Sequence, residues 1–320
     1  MGRNPKVSII IPCKEIDGYT LECVNYCKEL DYDDYEVIVL PDNSDNLSGS
    51  VKGVIVIPTG NVTPGRKRNI GVKYAKGDLC AFIDSDARPD RSWLKNAVQY
   101  FDDPEVVAVG GPGITPPEDS SMQKASGYIL SSFIVGGLSS RYRDSGEVKE
   151  SDDVHSCNFI VKKSVAEEIG WNEKYWPGED SLMCLELKKR GMKVLEAPDV
   201  VVYHHRRPLF KAHLKQISRF GLHRGFFAKK YRGNSLRLTY FFPSILILFL
   251  VVGGVISYFY PIFRIVYFSL ISAYLALTLV NAFLAKDIKL FLPVWVGTIL
   301  THLTYGAYFL AGLMKKELER

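Results

Sequence analysis

The chain has 320 residues, 47 % of them hydrophobic and 23 % charged, a composition that excludes a disordered or low-complexity protein and leaves room for about two folded domains. Its six cysteines show no paired spacing, which excludes a disulfide framework or a zinc ribbon and reads as reduced core thiols of a cytoplasmic domain. The formal net charge of +5 is small, but ten Lys or Arg and no Asp or Glu fall between Arg206 and Arg237. Such a block beside apolar runs points to lipid headgroups rather than nucleic acid, and no nucleic-acid partner is expected.

In chain order, Val7–Pro12 reads as a buried strand that Pro12 terminates, followed by a helix over Thr20–Leu30. Tyr35–Leu40 is a second strand with the polar loop Pro41–Asp45 at its C-terminal end, and Val54–Ile57 a short third. Pro64-Gly65-Arg66-Lys67-Arg68-Asn69-Ile70-Gly71 opens a helix that Lys76-Gly77-Asp78 closes. The strand Leu79–Ile83 then ends in Asp84-Ser85-Asp86. Strands alternating with helices at this spacing predict an α/β fold with a mostly parallel, doubly wound sheet. Further on, the pattern predicts a helix Ser92–Phe101, a strand Val106–Gly111 and, in a weakly patterned stretch from 114 to 155, a helix around Met122–Leu138. That stretch is either an acceptor-side loop or a structural insertion. Asn158–Val161 reads as a strand, Lys163–Ile169 and Ser181–Arg190 as helices, and Val194–Ala197 and Val200–Tyr203 as the last strands.

Carboxylates at the C-terminal edge of an open α/β sheet stand where such folds bind ligands. Asp84 and Asp86 suit a hard divalent cation, Mn²⁺ or Mg²⁺, which would also hold a diphosphate. A plain Asp-rich turn has the same pattern. The ordering brings Pro12, Glu15, Asp42 and Arg68 to the same edge, a set suited to a nucleotide diphosphate. Neither a Walker A sequence nor G-x-G-x-x-G is present, which disfavours a P-loop or dinucleotide-binding enzyme. Glu179 and Asp180 follow Gly178 at a helix start, either as complements to the helix dipole or as a general base at the pocket mouth beside aromatic rings. His204 and His205 follow the last strand, as polar surface or as metal or phosphate contacts, and His205 is the candidate metal ligand beside Asp84 and Asp86.

The C-terminal third changes character. Phe210–Tyr231 interleaves basic and aromatic residues and predicts an amphipathic helix at a membrane face, with Gln216 and Arg219 three residues apart on one side. Between Leu238 and Met314 the only charged residues are Arg264, Lys286, Asp287 and Lys289. Three apolar runs, 238–260, 262–285 and 288–314, are each long enough to cross a hydrocarbon layer of about 30 Å. The five apolar or small residues before Pro12 are too short for a signal-peptide core, so the expected domains are a cytoplasmic catalytic domain at 1–208, a basic interfacial segment at 209–237 and a transmembrane region at 238–314.

Taken together, these pieces resemble the family 2 glycosyltransferases of GT-A fold, in a membrane-anchored branch similar to exopolysaccharide and lipid-linked-oligosaccharide transferases. The resemblance is carried by the Val7–Pro12 strand with Glu15, by Asp42, Arg68-Asn69-x-Gly71, Asp84-Ser85-Asp86, Gly178-Glu179-Asp180 and Gln216-x-x-Arg219-Phe220. It implies an inverting transfer from a nucleotide-diphosphate sugar to a lipid-linked (polyprenyl) acceptor at the cytoplasmic face. In it Asp180 would deprotonate the acceptor, and a metal on Asp86 and Asp84 would neutralise the departing diphosphate. Glu15 and Asp42 would meet the nucleoside with Arg68 alongside, and Gln216 and Arg219 would close over the diphosphate or acceptor. Phe220, in place of a processive synthase's usual Trp, and only three spans argue against processivity. A polyprenyl-phosphate glycosyl synthase is the alternative. Three crossings from the cytoplasm would leave Lys315 and Lys316 outside, against the charge rule.

Overall fold

The computed structural model describes residues 4–43, 53–135, 139–143 and 146–318, so Ser44 and Asp45 of the expected 41–45 loop and residues 136–138 of the expected 122–138 helix lie outside it. Contacts divide the chain into two units, residues 1–114 with 143–205 and residues 115–142 with 206–319. Residues 115–142, expected within the first domain, thus belong to the second unit.

In the first unit β1 (Val7–Pro12) is buried at all six positions and pairs in parallel with β2 (Tyr35–Leu40) on one side. Helix α1 (Gly18–Cys27) connects them, its N-terminus capped by the Asp17 side chain. The short β3 (Ile55–Val56) extends the sheet beyond β2. Helix α2 (Pro64–Tyr74) leads to β4 (Leu79–Phe82), which pairs in parallel with β1 on its other side. After β5 (Ala87–Pro89) and α3 (Trp93–Val98), which tightens into a 3₁₀ turn at Gln99–Asp102, come β6 (Val106–Gly110) and β7 (Gly113–Ile114). Side chains such as Ile9, Ile10, Phe82 and Trp93 are wholly buried, each contributing about 1.5–3 kcal/mol on removal from water.

The rest of this unit departs in part from the expected pattern. Beyond the edge strand β8 (Lys149–Glu150), β9 (Phe159–Lys162) inserts antiparallel between β4 and β6. Helices α5 (Lys163–Ile169) and α6 (Glu179–Lys189) follow, and β10 (Lys193–Glu196) pairs in parallel with β6 and antiparallel with β8. The eight-stranded sheet therefore runs β3-β2-β1-β4-β9-β6-β10-β8 and is mostly parallel, as expected. The last strand, β11 (Val202–His204), joins a separate three-stranded sheet between β5 and β7. An apolar run identifies a strand, but not its direction or its sheet.

In the second unit α4 (Ser121–Ser131) starts with a capping box between Ser120 and Gln123. It stops short of Leu138 because Ser132 turns to an extended conformation, its hydroxyl donating to Asn281 Oδ1 at 2.6 Å. Helix α7 (Lys211–Lys230) is continuous over 20 residues. Helices α8 (Phe242–Leu248) and α9 (Gly254–Phe259), joined by a π-helical turn, form one apolar rod, and α10 (Pro261–Phe283) and α11 (Ile288–Met314) follow. All three rods are long and apolar enough to cross a membrane.

One buried polar triad ties this unit together. His213 on α7 sits 2.7 Å (Nδ1) from Ser126 Oγ and 2.9 Å (Nε2) from Thr301 Oγ1, and its ring is fully buried. Burial pushes its pKa down to about 4, so folding holds it neutral. The unfolded chain binds the proton near pH 6.5 and the folded one does not, so this contribution is intact above pH 6.5 and lost as pH falls towards 4, on the order of 3 kcal/mol in all. In detergent, melting temperature is expected to fall over that window, and more steeply for the wild type than for His213→Asn. Parallel slopes would refute the assignment.

Candidate active site

Helix α2 organises the sheet edge through consecutive residues. Thr63 caps it and Pro64 opens it, which aligns Gly65, Lys67, Arg68, Gly71 and Val72 inward. A Cβ at Gly71 would stand 2.6 Å from Ile10 Cγ2 and 3.0 Å from Leu40 Cδ1, so only glycine lets the helix lie this close to β1 and β2. Asn69 turns to the loop before α6, donating to Trp171 O and Glu173 Oε1 and accepting from Trp171 N at 2.7 Å. Lys67, 4 % exposed, donates to the backbone carbonyls of Cys13 (2.7 Å) and Leu40 (3.1 Å) and to Asp42 Oδ1 (2.5 Å). It locks the ends of β1 and β2 together and orients Asp42.

Arg68 is the centre of the edge. Its guanidinium, 2 % exposed, donates to Glu179 Oε1 at 2.6 Å, Asp84 Oδ1 at 2.8 Å and Ser156 Oγ at 2.9 Å, and lies 4.9 Å from the centroid of the Trp171 ring. Burial disfavours its charge, but Asp84 and Glu179 outweigh that and hold its pKa above the usual arginine range. Burial pushes the Glu179 carboxyl up against the pull of Arg68. Charges this deep persist only when paired, and this one joins two segments 95 residues apart, Asp84 and Glu179.

Asp86 is held differently. Strand β11 pairs antiparallel with β5, placing His204 opposite Ala87, and His205 N donates to Asp86 O at 3.0 Å. His204 Nε2 then lies 3.2 Å from Asp86 Oδ1. Burial opposes a charge on His204, but the neighbouring Cys157 and Asp86 more than offset it and raise its pKa to about 10. Oxygens of Asp84 and Asp86 and a nitrogen of His204 all lie within 4.8 Å of one another, and the three residues are half-buried. A divalent cation would take the place of the His204 proton, and two carboxylates with the then neutral imidazole make a donor set that fits it.

The expected residues are placed as follows. Asp84, Arg68 and Glu179 form one connected network, Asp86 stands beside Asp84 and meets His204, and Asp180, half-buried in the first turn of α6, adds to the negative charge around the same arginine. Arg68, expected alongside the nucleoside, is buried and donates to Glu179, Asp84 and Ser156. Glu179, expected to share the catalytic role, is 3 % exposed and serves as the partner of Arg68. His205, expected as metal ligand, has its Nε2 3.2 Å from Glu22 Oε2 and its ring against Tyr19, while the adjacent His204 meets Asp86. Neighbours on a strand point to opposite faces, and two adjacent histidines gave no means of choosing. Pro12 is buried at the end of β1, Glu15 is exposed beyond it, and Asp42 is held by Lys67. Gln216 and Arg219 stand on α7 of the second unit, half-buried and exposed respectively. Of the aromatics near Gly178, Trp171 and Tyr175 are buried and Trp176 is exposed.

Lys67, Ser156 and Cys157 were missed, and His204 was named only together with His205. Lys67 was recoverable, because the glycine at position 71 marks the inward helix face four residues on. Nothing in the sequence marks Ser156 and Cys157, which sit in a buried 3₁₀ turn and reach Arg68 and His204.

A mostly parallel α/β sheet with a carboxylate pair just beyond the end of β4 has the arrangement of the GT-A fold class. The model of the family "Glycosyl transferase family 2" matches residues 8–170, and the chain belongs to that family. It is 26 % identical over 274 residues to the dolichyl N-acetyl-alpha-D-glucosaminyl phosphate 3-beta-D-2,3-diacetamido-2,3-dideoxy-beta-D-glucuronosyltransferase of Methanococcus voltae, spanning 79 % of this chain and 84 % of that one. It is 25 % identical over 232 residues to glycosyltransferase AglE of Haloferax volcanii, spanning 67 % and 71 %. Among solved structures it resembles the mannosyltransferase PcManGT of Pyrobaculum calidifontis, in complex with GDP-Man and Mn²⁺, with a TM-score of 0.65, 18 % identity and coverage of 99 % and 89 %. The chain is thus a glycosyltransferase of GT-A fold.

Replacing Arg68 by Met leaves Glu179 buried without its counter-charge, a loss expected to be about 3–5 kcal/mol and visible as a lowered melting temperature. Adding Glu179→Gln should restore part of it. If the double variant melts lower than the single one, the pairing is not what holds this edge.

Proposed function

We propose that the chain is a metal-dependent, inverting glycosyltransferase that moves a sugar from a nucleotide-diphosphate sugar to a lipid-linked sugar acceptor, with its sheet unit on the cytoplasmic side of a membrane. The observation that carries this reading is the Asp84, Asp86 and His204 group at the sheet edge, joined through Arg68 to the helix that bears Asp180. Asp84, Asp86 and His204 would hold Mn²⁺ or Mg²⁺, which supplies charge neutralisation to a departing diphosphate. The mixed oxygen and nitrogen donor set favours Mn²⁺.

The chain's own residues do the rest. Arg68 fixes one oxygen of Asp84 while Glu179 keeps that guanidinium charged and in place. Lys67 fixes Asp42, which with Glu15 offers acceptors to a nucleoside at the ends of β1 and β2. Asp180 takes the proton of the acceptor hydroxyl as that oxygen bonds to the anomeric carbon and the bond from that carbon to the diphosphate oxygen breaks, inverting the centre. Exposed Trp176 offers an apolar ring face to a sugar. The lipid-phosphate acceptor in the name of the Methanococcus voltae relative and the GDP-Man and Mn²⁺ of PcManGT support the acceptor and donor classes. The basic block at Arg206–Arg237 would keep the enzyme beside anionic headgroups and so concentrate a membrane-bound acceptor.

Purified protein in lipid, given a panel of nucleotide sugars with Mn²⁺, Mg²⁺ or EDTA, is expected to label a polyprenyl-phosphate-linked sugar in a metal-dependent way. Label in bare polyprenyl phosphate would establish the synthase alternative. Asp180→Asn should lower kcat by about 10²–10⁴-fold if the acceptor is a hydroxyl, because a neutral amide cannot accept its proton. Asp86→Asn should raise the Mn²⁺ concentration needed for half-maximal rate at least tenfold, as expected for loss of an anionic ligand. Retained activity in Asp180→Asn would remove the base from that residue.

A further inference from the structure

We infer that the chain crosses the bilayer twice, by the hairpin of the α8–α9 rod and α10, and that α11 remains with α4 and α7 on the side from which the hairpin enters. The observation is the way the second unit packs on α11.

Helix α7 has no place in hydrocarbon. Lys211, Lys215, Arg219, Lys229 and Lys230 are all exposed on it, and each would cost about 2.5–3.5 kcal/mol at the centre of a bilayer. Yet α11 lies against α7 along its C-terminal half, in parallel and in close contact. His213 bonds Thr301, a Cβ on Gly221 would meet Tyr305 O at 2.6 Å and one on Gly225 would meet Phe309 O at 2.1 Å. In return, a Cβ on Gly312 would meet Leu222 O at 2.1 Å, and Lys229 Nζ donates to Lys315 O. The two helices advance together from Thr301 to Lys315, roughly 20 Å at 1.5 Å per residue. Only glycine permits backbones this close, so neither helix can slide in depth without the other.

The N-terminal half of α11 is committed to the same layer. Leu290 and Val294 cluster with Ala125 and Ile129 of α4, with Leu209 and with Ala282 in the last turn of α10, and a Cβ on Gly297 would stand 2.7 Å from Ile129 Cδ1. Helix α11 also touches both arms of the hairpin: Trp295 Nε1 donates to Thr278 Oγ1, Tyr274 Oη lies 2.9 Å from His302 Nδ1, and a Cβ on Gly306 would stand 2.3 Å from Pro243 O. The polar start of α4, with Ser121 exposed and Lys124 half-buried, belongs at an interface. In all, 44 % of the apolar window of α11 is buried within the protein, against 17 % for the α8–α9 rod and 11 % for α10. The last two present their apolar side chains outward, as lipid-facing helices do, and at 18 and 23 residues reach about 27 and 35 Å.

Charge agrees. The tip of the hairpin carries exposed Tyr258, Phe259 and Tyr260, an aromatic set suited to the far interface. Its single cation, Arg264, donates to the carbonyls of Ser257 and Tyr258. Two crossings return Lys315 and Lys316 to the side of the basic α7, as the positive-inside rule requires, whereas three would separate them. Helices α4, α7 and α11 then form a platform whose partner is an anionic lipid surface.

The test uses the full-length chain in sealed vesicles of one orientation, with a protease-cleavable epitope at the N-terminus, at the C-terminus or between Tyr260 and Pro261, in separate versions. The two terminal epitopes are expected to be cleaved or protected together, and the epitope at the tip to behave oppositely. A C-terminal epitope on the side opposite to the N-terminal one would establish three crossings and overturn the inference, and so would all three on one side. A membrane-impermeant maleimide on Tyr260→Cys gives the same assignment without an insertion, because the six native cysteines are buried.

Discussion

The catalytic unit depends on one buried cation. Arg68 has its guanidinium between Asp84, in the turn after β4, and Glu179, in the first turn of α6. Removing three charged groups from water costs several kcal/mol per ion, and the arrangement is tolerable only because the guanidinium also donates to Ser156 and lies beside Trp171. That constraint positions the site. It sets one carboxylate at the end of β4 and fixes beside it the first turn of α6, which bears Asp180. A lysine could not make the same connection, because a single ammonium lacks the planar fork that reaches two carboxylates and a hydroxyl at once.

The same logic, close approach enforced by a residue with no alternative, recurs through the chain. Gly71 lets α2 come close enough to β1 and β2 for Lys67 to reach two strand-end carbonyls and for Arg68 to pass beneath the sheet edge. In the second unit Gly221, Gly225 and Gly312 bring α7 and α11 into backbone contact. In both places glycine is needed for the absence of a Cβ rather than for a left-handed backbone. In both, a charged or basic element is thereby bound to an apolar one. Function in this family member therefore rests on packing as much as on its carboxylates.

Much of the fold was legible in the residues. The strands at Val7–Pro12 and Tyr35–Leu40, the helix at Lys163–Ile169 and the apolar helix Ile288–Met314 have the observed boundaries, because each is a long periodic or apolar segment with clear stop residues. Less legible was anything that depended on a distant partner. The helix after Ser121 ends where Ser132 meets Asn281, 149 residues away. The strand at Phe159 runs antiparallel because of what lies on either side of it. That His204 rather than His205 stands beside Asp86 follows from the register of β11 on β5, which would shift every side chain to the opposite face if it slipped by one residue.

By itself the sequence determined that an α/β sheet would end in a carboxylate pair, that the chain would close with apolar helices behind a basic block, and that Asp84, Asp86 and Asp180 would be the residues to consider. These follow from local pattern, in which composition and spacing translate directly into strands, helices and edges. Only the tertiary structure decided that Arg68 pairs with Glu179 and Asp84, that Lys67 meets Asp42 and Ser156 meets Arg68, and that residues 115–142 pack with the C-terminal helices. Burial, pairing and register are properties of residues far apart in the chain, and no local pattern carries them.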